Sequence, residues 1–129
     1  MSSLEEITNY VYSFEKLMVW QKSIELAKQI YSITSNFPKE EIYGLTSQIR
    51  RAVISISSNV AEGYVKSSSK EQIRFSEIAY GSLMEVLNQV IIAREIGYVS
   101  KDNYLNIRQN IEEISRMLNA LRNSQINKN

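Results

Sequence analysis

Apolar residues recur at three- and four-residue intervals through most of the chain and nowhere alternate strictly, so the predicted elements are helices. The clearest occupies residues 43–64, YGLTSQIRRAVISISSNVAEGY, where Leu45, Ile49, Ala52, Val53, Ile56 and Val60 form one continuous stripe that must face a core. On another side of the same helix Gln48, Arg51, Ser55, Ser58 and Glu62 line up as a polar stripe. Tyr43, Ile54, Ser57 and Ala61 lie away from both. Apolar and small residues outside the core-facing arc predict that another helix approaches there.

The first thirteen residues carry Leu4, Ile7 and Val11 at helical spacing, which suits either a short helix or an arm that docks on a neighbour. A first long helix begins within residues 17–20 and places Leu17, Trp20, Ile24, Ala27 and Tyr31 on one face, with Trp20 as a core anchor or a cap over one end of the core. It must end by Phe37, because Pro38 pushes the preceding residue out of helical conformation. The second helix follows the PKEEIYG connection and is predicted to end at Gly63 as a left-handed cap. Ser68 and Ser69, with Glu71 and Gln72 three residues on, mark the start of a third helix. Its apolar side, Ile73, Tyr80, Leu83, Met84, Leu87, Val90 and Ile91, is widened by Phe75, Ala79 and Val86, which predicts burial on two sides. Gly97 closes this helix, Ser100 caps the next, and Tyr104, Ile107, Ile111, Ile114, Leu118 and Leu121 give a regular fourth stripe.

Four such helices joined by short turns predict an all-α fold, an up-down-up-down antiparallel four-helix bundle over residues 14–123, with residues 1–13 as an arm or short helix and 124–129 as a frayed tail. Three long helices with irregular ends is the alternative. No internal repeat argues for a second domain.

Composition narrows the chemistry more than the fold. With 15 Lys plus Arg against 14 Asp plus Glu, the net charge of +1 gives no global basic field, so any charge used in binding is a local patch. There is no Cys and no His, which removes thiol nucleophiles, thiolate metal sites, serine triads and Glu-x-x-His di-iron sites. No basic leader and no long apolar run is present, so the expected location is the cytoplasm, with no membrane partner. Neither a cofactor nor a metal is expected.

The segments FEKLMVWQKSIELAKQIY, FPKEEIYGLTSQIRRAVISISSNVAEGY and IAYGSLMEVLNQV resemble the four-helix-bundle proteins encoded by intervening sequences in large-subunit ribosomal RNA genes, the IVS protein family. The similarity runs over residues 14–119. It is carried by Tyr43-Gly44-Leu45, Gln48, Arg50-Arg51-Ala52, Ile56, Asn59 and Ala61-Glu62-Gly63, followed by Gly81-Ser82 and Glu85. The resemblance implies an up-down bundle that assembles as a ring-shaped homopentamer, in agreement with the extra strip on the second helix. It also implies a link with ribosomal RNA through gene location. A more distant set of similar bundles serves reverse transcriptases by binding protein and nucleic acid. Neither association is a mechanism, because a shared fold does not confer a shared function.

The candidate groups follow from these patterns. Gln48, Arg51, Glu62 and Glu85 occupy family motif positions, with Asn59 and Ser82 nearby in sequence. Paired carboxylates can do acid-base or metal work, but an Arg with two Glu and a Gln more simply forms a structural hydrogen-bond network, and two carboxylates alone hold a divalent ion weakly. Ser55, Ser57, Ser58 and Ser82 have no His and no lysine three residues on, so they read as small packing residues. Gly81, inside a helix, costs about 1 kcal/mol relative to Ala and so suggests close approach of another backbone. It joins Tyr43, Ile54, Ser57 and Ala61 as the expected oligomer interface. Arg50, Lys66, Lys70 and Arg74 form a basic cluster suited to phosphate, with pairing to Glu71 and Glu77 as the plain alternative. The chain is thus expected to be a non-enzymatic homo-oligomer that binds structured RNA. The alternative is an oligomeric scaffold for a protein partner such as a reverse transcriptase.

Overall fold

The structure, a computed structural model, describes residues 10–128. The expected arm at 1–13 lies largely outside them. Tyr10 and Tyr12 stack at 4.6 Å and lead into a short 3-10 turn, Ser13–Lys16. Four helices follow: α1 Met18–Thr34, α2 Leu45–Tyr64, α3 Ser69–Glu95 and α4 Lys101–Ile126. Among the described residues there is no strand.

The helices form a square. α1 packs on α2 and α4, and α3 packs on α2 and α4, while the backbones of the diagonal pairs stay apart across the core. Side-chain bonds fix the directions. Ser55 meets Ser82 at 2.8 Å and Ser76 donates to Gln125 Oε1 at 2.7 Å, while Asn110 donates to Gln29 at 2.9 Å and Lys22 lies 3.6 Å from Glu113. Between α1 and α4 the numbers rise on one helix as they fall on the other, and so they do between α2 and α3, where Gly63 also lies against Phe75, and between α3 and α4, where Ser115 also donates to Tyr80 at 3.4 Å, so neighbouring helices run antiparallel. The centre holds Leu26, Ile30, Ile49, Ile56, Leu83, Ile107, Ile111, Ile114 and Leu118, all fully buried. Burying each such side chain contributes about 1.5–3 kcal/mol.

The stripes predicted for α2 and α4 are the ones buried, and α3 is covered on two sides, by α2 and by α4. Ala79 and Val86 are at the centre of its buried face, not at its margin. The face of α1 is rotated by about one residue from the predicted one. Val19, Ser23, Leu26, Ile30 and Ile33 are buried whereas Tyr31 is exposed, because Ser23 returns its hydroxyl to Val19 O at 2.7 Å and so tolerates the core. Trp20 is a buried core residue, and the edge of Phe14 meets it at 5.3 Å.

Two further boundaries differ. α2 does not end in a left-handed Gly63; that glycine is buried within the helix, where a Cβ would come within 2.6 Å of Phe75 Cβ. It permits close packing of α2 on α3 and does not turn the chain. Nor is residue 124 the start of a frayed tail, since α4 continues to Ile126 and buries Gln125 against Ser76. The caps at Ser68 and Ser100 are as expected, each hydroxyl accepting from a backbone N–H three residues on, at 3.2 and 3.1 Å.

Candidate functional site

The α2–α3 turn gathers the basic residues. Lys66 N–H donates to Gly63 O at 3.1 Å and Gln72 Nε2 donates to Lys66 O at 2.9 Å, which fixes the turn against the first coils of α3. The Phe75 ring lies half-buried beneath it. Lys66 Nζ and Arg74 Cζ each sit 5.1 Å from its centroid, the range of a cation–π contact. Arg74 also reaches Glu71 at 3.5 Å, but both are exposed and the pair is weak. Lys70 stands in the first turn of α3 with no carboxylate partner among the described residues.

The end of α4 arrives at the same place. Tyr64, Gln72, Ser124, Gln125 and Lys128 edge a groove beside the turn, and the buried Gln72 Oε1 has no hydrogen-bond partner there. Lys128 is a cation that sequence reasoning left in a frayed tail. The buried pair Ser76–Gln125 is what carries it to the cluster.

Arg50 does not belong to this group. It lies fourteen residues before Tyr64, about 20 Å along α2. There its Nε donates to Thr34 Oγ1 at 2.8 Å and its guanidinium lies 4.5 Å above the Tyr31 ring. Adjacent arginines on a helix diverge by about 100°, so Arg50 faces α1 while Arg51 faces outward.

The expected network of Gln48, Arg51, Glu62 and Glu85 is not formed within the chain. All four are exposed, and among the described residues the one side-chain hydrogen bond any of them makes is from Gln89 Nε2 to Glu85, at 3.4 Å. The seam between α2 and α3 is tied instead by smaller groups: Ser55 to Ser82, and Asn59 Nδ2 to Ser55 O at 2.8 Å and Ser55 Oγ at 3.0 Å. These serines are bonded packing residues, and their signal in sequence was Ser55 and Asn59 one turn apart. Gln89 is only 5% exposed and its Oε1 lacks a partner.

The expected interface set splits. Tyr43 is 94% exposed and Ile54 is exposed, but Ala61 packs on the core and Ser57 is buried, its hydroxyl donating to Ile54 O at 3.2 Å. Gly81 meets no close backbone in the chain; a Cβ there would find nothing within 4 Å.

Among the described residues two groups have displaced pKa values, and neither marks a reactive centre. Lys22 is raised, first by the charge of Glu113 and then by Glu25. Tyr98 is raised chiefly by donating its hydroxyl to Glu41. Among the described residues no set of carboxylates gathers as metal ligands would, and no helix is long and apolar enough to cross a membrane.

The square of antiparallel helices and its tight α2–α3 seam define an all-α four-helix-bundle protein. A family model described as 23S rRNA-intervening sequence protein matches residues 15–120, and the chain belongs to that family. The fold is also similar to the crystal structure of a protein with unknown function from the S23 ribosomal protein family of Bacteroides thetaiotaomicron. The TM-score is 0.75 and the identity 23%, over 81% of this chain and 98% of that one. No curated protein matches the sequence.

Proposed function

We propose that the protein is a non-enzymatic homo-oligomeric bundle that binds structured RNA, ribosomal or related, through the basic end of the molecule. The observation that carries this reading is that Lys66 and Arg74 rest on Phe75 and Lys128 stands beside Tyr64, with Lys70 in the adjoining first turn of α3 and only Arg74 engaged by a carboxylate among the described residues. Cations free to meet phosphates, set next to aromatic rings, are the combination that single strands and loops of RNA select. Membership in a family described by 23S ribosomal RNA intervening sequences supports RNA over other polyanions. In a ring such as the resemblance implies, one patch per subunit repeats on one face, and a modest local charge becomes an array.

The test is a fluorescence titration of nuclease-treated protein with ribosomal RNA fragments at two salt concentrations. Lys66→Glu combined with Lys70→Glu should weaken binding at least tenfold for all fragments alike and flatten the salt dependence by about two charges. Arg50→Gln should leave affinity unchanged, because Arg50 is held on α1 at the other end. Absence of binding at low salt, or binding indifferent to the double reversal, rejects the RNA reading. The competing reading, a scaffold for a protein partner, rests on the exposed apolar groove of Tyr31, Ile42 and Ile54 and predicts capture that survives nuclease.

A further inference from the structure

The groove at the end of α4 has the size and the lining of a ligand site. Its cavity of about 350 Å³ falls in the range that holds small molecules. Three helices wall it. Tyr64 closes α2, Gln72 comes from the first turn of α3, and Leu121, Ser124, Gln125 and Lys128 follow at helical spacing along the last turns of α4 and just past its end.

Its polar groups are fixed in place and left partly unsatisfied. Gln72 Nε2 donates to Lys66 O at 2.9 Å, and because a carbonyl only accepts, the amide cannot be reversed and Oε1 faces away from that bond. This oxygen is shut off from solvent and has no donor, a penalty that an incoming donor relieves. Gln125 is 4% exposed and its Oε1 accepts from Ser76 at 2.7 Å. That bond orients the amide and leaves Nε2 as a donor with no partner among the described residues. Ser124 returns its hydroxyl to Leu121 O at 2.7 Å and so offers no competing group. The groove therefore presents one acceptor, one donor, an exposed tyrosine ring, an apolar contact from Leu121 and a single positive charge on Lys128.

A flat ring with a donor and an acceptor on its edge, joined to an anion, matches this set, and that is a nucleobase with its phosphate. A paired base has its edge occupied and its faces stacked, so the ligand is an unpaired one. We infer that the groove takes a single unpaired base of the bound RNA, its ring on Tyr64, its edge donating to Gln72 Oε1 and accepting from Gln125 Nε2, and its phosphate toward Lys128. This rests on the RNA reading above and adds where the RNA must be unpaired. Because Gln72 Oε1 is closed to solvent, the base reaches it by displacing part of the lining, and the exposed side chain of Lys128 is the part that can yield. Gln72 also holds Lys66 O, so filling the groove is coupled to the ordering of the basic turn.

The probe is an RNA hairpin carrying 2-aminopurine at one unpaired loop position, set against a blunt duplex of the same stem sequence. The unaltered protein should favour the hairpin by about tenfold, the effect of one base stacked on an aromatic ring, and the 2-aminopurine fluorescence should change on binding. Tyr64→Leu removes the ring, and Ser124→Leu narrows the groove from an exposed position. Each variant should bind the hairpin no better than the duplex and lose the fluorescence change, yet keep the salt slope, because phosphate contacts set that slope and ring contacts do not. Lys66→Glu with Lys70→Glu should do the reverse, flattening the slope for both RNAs. Circular dichroism checks helicity, and if Tyr64→Leu loses it, Ser124→Leu decides the matter. Failure of the unaltered protein to bind either RNA rejects the RNA reading and the base site together. Equal binding of hairpin and duplex, or a preference for the hairpin that survives in the folded variants, overturns the base site alone.

Discussion

The two ends of the bundle use their polar and aromatic residues for different purposes. At the α3–α4 corner Gly97 takes a left-handed φ of 87°, and Tyr98 N–H closes back on Ala93 O at 2.8 Å while Gly97 N–H closes on Arg94 O at 3.1 Å. Phe37, from the α1–α2 connection, lies 5.2 Å from the Tyr98 ring, and the Tyr98 hydroxyl donates to Glu41 at 2.9 Å. Glu41 meanwhile accepts from Leu45 N–H at 3.1 Å and so caps α2, whose own N-cap residue, Gly44, has no side chain to do so. Arg94 adds a bond to Val99 O at 3.0 Å. At the opposite end Lys66 and Arg74 rest on Phe75, Lys70 and Lys128 have no carboxylate partner among the described residues, and Gln72 Oε1 is unsatisfied. One end spends its polar groups on closing the fold. The other keeps them available, which is where a ligand is to be sought.

Two phenylalanines measure that difference. Phe37→Ala should lower stability by about 3–5 kcal/mol, because the ring is buried and its loss opens the junction of two connections. Phe75→Ala removes a ring that is only half-buried and should cost about half as much. It should also weaken RNA binding, since Lys66 and Arg74 lose the surface that positions them. Urea denaturation at fixed protein concentration reads the first effect and titration the second. Equal losses of stability, with no change in binding, would erase the proposed division between the ends.

Glycines sharpen the comparison at smaller scale. Gly63→Ala gains helix propensity of about 1 kcal/mol but drives a methyl to 2.6 Å from Phe75 Cβ, an overpacking cost of about 1–3 kcal/mol, so a net loss is expected. Gly81→Ala has the same propensity gain and nothing to clash with inside the chain, so it should stabilise the bundle by up to about 1 kcal/mol. The opposite signs, read from urea midpoints, separate a glycine required by packing from one that packing leaves free.

These glycines also mark how far sequence reasoning reaches. Both were legible as special, but which one is crowded depends on Phe75 from the next helix and on nothing local. The α2 and α4 stripes were legible because their core positions are uniformly apolar. The α1 face was displaced because a serine stands at its centre, satisfied by its own helix. Gln125 was assigned to a tail for a related reason: its partner Ser76 lies forty-nine residues away, and without it a glutamine near a terminus has no cause to be buried. Of the basic cluster, Lys66, Lys70 and Arg74 share a turn and were read from proximity in sequence. Arg50 was misplaced because helical rotation sends it toward Tyr31 and Thr34, contacts that only tertiary packing supplies.

The smallest effect concerns the closed end at high pH. The Tyr98 hydroxyl is raised above its usual value first by its bond to Glu41, then by burial and by the charges of Glu41 and Glu40. A group that holds its proton more tightly when folded contributes its full stabilisation below the unfolded value, about pH 10, and loses it as pH rises through the folded one. Tyr98→Phe should therefore be less stable than the unaltered protein at pH 8, and the gap should narrow above pH 10. Lys22 is raised as well, by Glu113 and Glu25, so the unaltered protein weakens in the same window for a second reason. That fall is common to both proteins and cancels in their difference, which isolates Tyr98. Urea midpoints measured from pH 8 to pH 11 decide the matter: a gap that stays constant would mean that Glu41 does not hold the hydroxyl in solution and that the Phe37–Tyr98 ring contact joins the two connections without it.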